Sequence, residues 1–196
     1  MQHATIKIHF PKTYIQTPTT TRETISIASD ASAEGNTTAQ ATVIDENNTL
    51  RVHTTTKEYG TAPHGETMAV ATGIRNLKAE VHTVYWMVDA QAVIDLLIRL
   101  KKKHRHQALK TPLAIQLLEL MQAIADHPQK LTLYIIKVES HTMCLLNAYA
   151  DQAAKYALKN STTRTTQNKT RHALILLPPE SKTKNIQKIS QQTEED

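Results

Sequence analysis

Residues 83–100 read TVYWMVDAQAVIDLLIRL, and the reading of this stretch decides the fold. Its first six residues form a continuous apolar run, rich in the β-branched and aromatic types that favour extended backbone, and predict a buried strand closing at Asp89. Val93, Leu96, Leu97 and Leu100 then recur at i, i+3, i+4 and i+7, one face of a helix. A strand that feeds directly into a helix is the building unit of a parallel sheet.

Upstream, TISIAS (24–29) predicts a second buried strand, closing at Asp30. TTAQATVI (37–44) and TLRVHTTT (49–56) are Thr- and Val-rich strands joined by DENN (45–48), which has hairpin-turn chemistry. HGETMAVATGIRNLKAE (64–80) predicts a helix. Downstream, Leu113, Leu117, Leu120, Met121 and Ile124 mark another helix, LTLYIIKV (131–138) a strand, and NAYADQAAKYALK (147–159) a last helix with Asn147 as its N-cap. The order β-β-β-α-β-α-α-β-α predicts an α/β fold with a mixed five-stranded sheet and helices on both faces. The strands closing at Asp30 and Asp89 then lie side by side, and their carboxyl ends form the crevice where open α/β sheets place their sites.

The 196 residues suit one body with tails: an N-terminal extension over 1–22, a body over 23–160 and a polar C-terminal tail over 161–196. Alternation of Ile6, Ile8 and Phe10 allows a short extra strand in the extension, and ALILLPP (173–179) is the tail's apolar segment. A net charge of +5 suits a polyanionic partner, and equally an ordinary basic protein. The single cysteine, Cys144, excludes an internal disulfide framework and a Cys-rich zinc site. No stretch approaches the roughly 18–20 apolar residues of a membrane span, and MQHATIKIHF at the N-terminus lacks a signal peptide's apolar region. The expectation is an intracellular monomer with no membrane partner, nucleus and cytoplasm left undecided.

Two further acids join the strand-end pair: Glu66, placed in a first helical turn after Gly65, and Asp151, one turn past Asn147. A carboxylate at the end of an apolar strand loses hydration and is repelled by its neighbours, so it needs a cation or a raised pKa. Either Asp taken alone reads as a turn residue ending a strand. The pair at neighbouring strand ends shifts the balance toward a site, and four oxygen donors suit Mg²⁺ or Mn²⁺ rather than zinc.

The segments ISIASDAS (25–32), GETMAVATGI (65–74), YWMVDAQAVIDLL (85–97) and VESHTMCLLNAYADQAAK (138–155) resemble, in order and spacing, the type 1 ribonuclease H family, in the version found in non-LTR retrotransposon polyproteins. The resemblance covers roughly residues 24–158 and implies a ribonuclease H-like sheet of order 3-2-1-4-5 and cleavage of the RNA strand of RNA–DNA hybrids. It further implies that Asp30 bridges two metal ions, that Glu66 and Asp89 hold the ion nearer the leaving group, and that Asp151 helps hold the ion activating water. His141 would assist proton handling or product departure. Two ions roughly 4 Å apart stabilise both attacking and leaving oxygens of an in-line displacement, leaving a 5′-phosphate and a 3′-hydroxyl. One module of a larger retroelement polyprotein is the context this resemblance implies.

The chain departs from the family pattern at Ala31, where Gly is usual, at Leu146 and Ala148 around Asn147, where Gly-Asn-Glu is usual, and at Glu139, where a basic residue is common. None of these removes an implied ligand. Ser32, Gln91 and Asn147 lie beside the matched acids and are candidate nucleic-acid contacts. So are Lys101, Lys102, Lys103 and Arg105 of KKKHRH (101–106), which resemble the family's basic protrusion and read equally as a solvated helix end complementing the dipole. The alternative function is a catalytically weak module of the same fold, derived from a retroelement and serving nucleic-acid binding or assembly. Integrase-type nucleases place a Glu where Asp151 stands, and DEDD exonucleases a Glu where Ser32 stands, so both fit less well. Trp86 and Tyr85, on a buried strand, read as core.

Overall fold

A computed structural model describes residues 4–10, 19–46, 49–58, 60–101, 110–139 and 144–161, with Leu100 and Lys101 described by backbone alone. In chain order the elements are β1 (Ala4–His9), β2 (Thr24–Glu34), β3 (Thr37–Glu46), β4 (Thr49–Glu58), α1 (Ala62–Arg75), β5 (Thr83–Val88), α2 (Gln91–Lys101), α3 (Ala114–Asp126), β6 (Leu131–Lys137) and α4 (Leu145–Ser161). They build one six-stranded mixed sheet of order β1-β6-β5-β2-β3-β4. β2, β3 and β4 form an antiparallel meander, and β5, β6 and β1 add in parallel on the other side.

Counted from β2, the five expected strands stand in the expected order. The sheet corrects the expectation by one strand: β1 pairs with β6 from Ala4↔Leu131 to His9↔Ile136. Its alternation explains this, because Ala4 and Ile6 are buried while Thr5 and Lys7 face out. A second correction concerns β2, which does not stop at Asp30 but runs on to Glu34. Pairing with β3 carries it there, from Asp30↔Ala41 to Glu34↔Thr37, around a tight turn in which Gly35 takes φ +57°. Parallel pairing with β5 reaches only Ala28↔Met87, so the crevice still opens beside Asp30.

The sheet separates two cores. On one face Ile27, Val84, Trp86 and Leu133 pack with Val70 and Ile74 of α1, Val93 and Leu97 of α2, and Leu117 and Leu120 of α3. On the other, Ala28, Val43, Met87 and Ile136 pack with Leu146, Ala150 and Ala154 of α4. Large side chains in such cores each contribute about 1.5–3 kcal/mol. Trp86 is core, and its indole N–H donates to the Ser29 hydroxyl at 2.9 Å. Among the described residues no helix is long and apolar enough to cross a membrane.

α1 lies hard against β2 and β3. A Cβ added at Gly65 would sit 2.6 Å from the Ala31 Cβ and 2.8 Å from Thr38 Cγ2, and one at Gly73 would sit 2.8 Å from Thr42 Cγ2. The Thr42 hydroxyl donates to the Ala69 carbonyl within the same contact. α1 starts at Ala62 rather than 64, since Pro63 is tolerated in a first turn, and it ends at Arg75 rather than 80. Glu66 is thus in the second turn, not the first. α4 starts at Leu145, so Asn147 is inside the helix and is not its N-cap.

Candidate active site

Asp30 and Asp89 each stand two residues beyond the last parallel pair, Ala28↔Met87, so the register brings them level at the carboxyl end of the sheet. Glu66 reaches the same end from α1, its depth set by the close seat of Gly65. One carboxylate oxygen from each of Asp30, Glu66 and Asp89 lies within 4.8 Å of the other two. Asp151 comes from α4, stands close enough to Asp30 to raise its carboxyl, and pairs with Lys155 Nζ at 2.8 Å. Four acids distant along the chain therefore converge.

Burial and mutual repulsion dominate the electrostatics. Asp30 is 7% exposed, and its carboxyl is raised from 3.8 to about 7. Desolvation is the largest cause, then the charges of Asp89 and Asp151, against a lowering hydrogen bond from the Ala31 N–H at 2.7 Å. Glu66, 9% exposed, is raised from 4.5 to about 8 by burial, then by Asp30 and Asp89, while Lys137 opposes the rise. Among the described residues, Glu66 Oε2 and Asn147 Oδ1 are buried without a hydrogen-bond partner. Unpartnered buried oxygens beside an anionic cluster are costly. An oxygen-only donor set of this kind fits a hard divalent cation, whose opposite ligands stand about 4 Å apart. These three carboxylates could hold such an ion.

The RNase H family model matches residues 22–159, well over half of the chain. The chain belongs to the RNase H family. Its fold is shared with solved RNase H structures. LC9-RNase H1, described as a type 1 RNase H with the type 2 active-site motif, superposes with a TM-score of 0.62 at 15% identity, covering 85% of this chain and 82% of that one. RNase H1 from the halophilic archaeon Halobacterium salinarum gives 0.52 at 17% identity, covering 70% and 98%. The N-terminal RNase H domain of a Mycobacterium tuberculosis protein, solved as a fusion with maltose-binding protein, gives the same values, 0.52, 17%, 70% and 98%. No curated protein matches the chain at a significant level.

Around the RNase H carboxylates, the remaining candidates fall in different places. Ser32 is half-buried in β2 opposite Ala39, two residues past Asp30. Gln91 is exposed at the start of α2, its amide donating to Asp95 at 2.8 Å. Asn147 is only 2% exposed and turns its amide N–H to Asp89 Oδ2 at 3.1 Å. His141, Lys102, Lys103 and Arg105 lie outside the described residues, and Lys101 ends α2.

One residue at this carboxylate cluster escaped the sequence reading. Lys137 closes β6, and its Nζ donates to the Asp89 carbonyl and, at 3.1 Å, to the Val138 carbonyl. The signal was available: Lys137 is the one charged residue of LTLYIIKV, in register with Val88 and one step from Asp89.

Proposed function

We propose that this chain hydrolyses the RNA strand of RNA–DNA hybrids, with Asp30, Glu66, Asp89 and Asp151 holding two divalent cations, Mg²⁺ or Mn²⁺. The observation that carries the reading is the convergence of three carboxylates within 4.8 Å, one of them with a buried, unpartnered oxygen. Family membership supports the substrate class, since RNase H proteins act on RNA–DNA hybrids. When bound, the cations supply an acidified water and offset the charge that develops on the phosphate, leaving 5′-phosphate and 3′-hydroxyl ends.

The chain's own residues do the rest. Asp30, deepest on the central strand, faces both Asp89 and Asp151 and joins the two halves of the cluster. Asn147 fixes Asp89 through its amide. Ser32 and Gln91 flank the carboxylates and would meet the hybrid, and Lys101, Lys102, Lys103 and Arg105 would neutralise phosphates of its DNA strand. His141 would handle a proton or speed product departure. The catalytic body is read as 23–160, with 1–22 and 161–196 as extensions, in an intracellular monomer. The retrotransposon polyprotein setting rests on the four segments quoted above.

A duplex with a labelled RNA strand and unlabelled DNA strand tests the activity in millimolar Mg²⁺ or Mn²⁺. The wild type should release 5′-phosphorylated RNA fragments, and Asp30→Asn should be slower by roughly a thousandfold, the equivalent of losing several kcal/mol of cation-borne stabilisation. Absence of wild-type cleavage, or equal cleavage by the variant, overturns the reading in favour of a binding or assembly module.

A further inference from the structure

The carboxylate cluster is not purely anionic. Lys137 reaches into it from the carboxyl end of β6, where Val88↔Lys137 is the last pair that β6 makes with β5. Beyond that pair the two strands end: β5 gives way to Asp89 and then α2, and β6 to Val138. Val138 N–H still donates to the Val88 carbonyl at 3.0 Å. Past that point no further backbone bond of the ladder stands among the described residues, and the Lys137 ammonium bridges the gap. It donates to the Asp89 carbonyl and to the Val138 carbonyl, at 3.1 Å for the latter, and so ties the residue bearing one carboxylate to the neighbouring strand.

We infer that Lys137 is a positioning residue for the Asp89 side of the site, its ammonium clamping the Asp89 backbone to the neighbouring strand. This inference rests on the metal-dependent reading above. Two effects of the ammonium on a divalent cation oppose each other. Its charge repels the incoming ion, whereas its hydrogen bonds hold Asp89 where a ligand is needed. The second effect is the stronger. Loss of the clamp strips hydrogen bonds from two part-buried carbonyls, which are costly to leave unmade, and unties the Asp89 backbone from the neighbouring strand. Groups that orient a ligand without touching the ion typically carry ten- to a hundredfold of metal affinity or activity. Asn147 holds the Asp89 side chain and Lys137 holds its backbone, so the same ligand is fixed from both sides.

The test uses the full chain without nucleic acid, titrated with Mn²⁺ in a calorimeter, comparing wild type, Lys137→Met and Lys137→Arg. Methionine keeps the length of the stem and loses the charge and donors; arginine keeps both. Lys137→Met should weaken Mn²⁺ binding on the order of tenfold. On hybrid its kcat should fall by a similar factor, with KM within about twofold, because the clamp acts on the metal site and not on the duplex. Lys137→Arg should recover most of both losses, a rescue that simple destabilisation would not show. Wild-type affinity or tighter binding in Lys137→Met overturns the inference, as does equal impairment by methionine and arginine. If the wild type itself takes up no Mn²⁺, the metal reading fails first and takes this inference with it.

Discussion

Glu46 and Glu66 are equally buried, each 9% exposed, and stand at opposite ends of the sheet. Glu46 closes β3 at the end where β2 begins, and its carboxylate meets Arg51 at 3.1 Å and Lys78 at 2.6 Å. Glu66 sits among Asp30 and Asp89, with one oxygen lacking a hydrogen-bond partner among the described residues. Burial alone therefore says nothing of function. What separates the two is compensation: the protein supplies cations to Glu46 from its own side chains, and supplies Glu66 with further anions and one lysine nearby. A buried acid left in that state raises its pKa or awaits a cation from solution.

Charge removal at the two glutamates breaks the comparison most sharply. Glu66→Gln should reduce hybrid cleavage by at least about a hundredfold, from loss of a metal ligand, while raising the melting temperature of the metal-free protein at pH 8. Glu46→Gln should leave kcat within about twofold and lower stability by about 1 kcal/mol, since it removes the charge that two cations share and leaves one acceptor oxygen. Circular dichroism melts and cleavage rates of both variants settle it. Matching losses of activity in both would erase the distinction.

Next in size is the seat of α1. Gly65→Ala places a methyl 2.6 Å from the Ala31 Cβ, so α1 must lift, costing about 1–3 kcal/mol and displacing the adjacent Glu66. Adding Ala31→Gly should return part of the stability and of the activity, although Thr38 Cγ2, 2.8 Å away, still resists. Indifference of the chain to Gly65→Ala in denaturant titrations would show that the helix has slack there.

Smaller is the response to ions and to pH. Millimolar Mg²⁺ should raise the melting temperature of the wild type by a few degrees, through preferential binding to the folded state, and should leave Asp30→Asn unmoved. Without metal, the folded chain keeps protons on Asp30 up to about 7 and on Glu66 up to about 8, while ordinary values are 3.8 and 4.5. Between those limits the native state binds more protons than the unfolded one, so stability falls as pH rises through that window. Melts in chelator from about pH 4 to about pH 8 should show this decline, flattened in Glu66→Gln; a rise would contradict it.

Much of this was legible in the residues. TVYWMV and LTLYIIKV declare themselves by their mostly apolar, β-favouring residues, and the position of Asp89 at a strand end follows directly. The continuation of β2 was not legible, because Ala31, Ser32, Ala33 and Glu34 have little intrinsic preference for a strand; pairing with β3 imposes it. β1 was legible only as an alternation, since six residues at an edge depend on finding β6 in parallel. Asn147 misled because Asn is a favoured N-cap, and nothing local shows that Leu145 and Leu146 begin the helix. Lys137 was missed because a lysine ending a strand is usually solvated, and only the three-dimensional register places it against Asp89.

Anomalous diffraction from crystals grown with Mn²⁺ tests the central claim most directly. A peak should stand among the carboxylate oxygens of Asp30, Glu66 and Asp89, with a second reached by Asp151, and both should vanish in Asp30→Asn. A map with no manganese at that end of the sheet, and the acids turned apart, would contradict it.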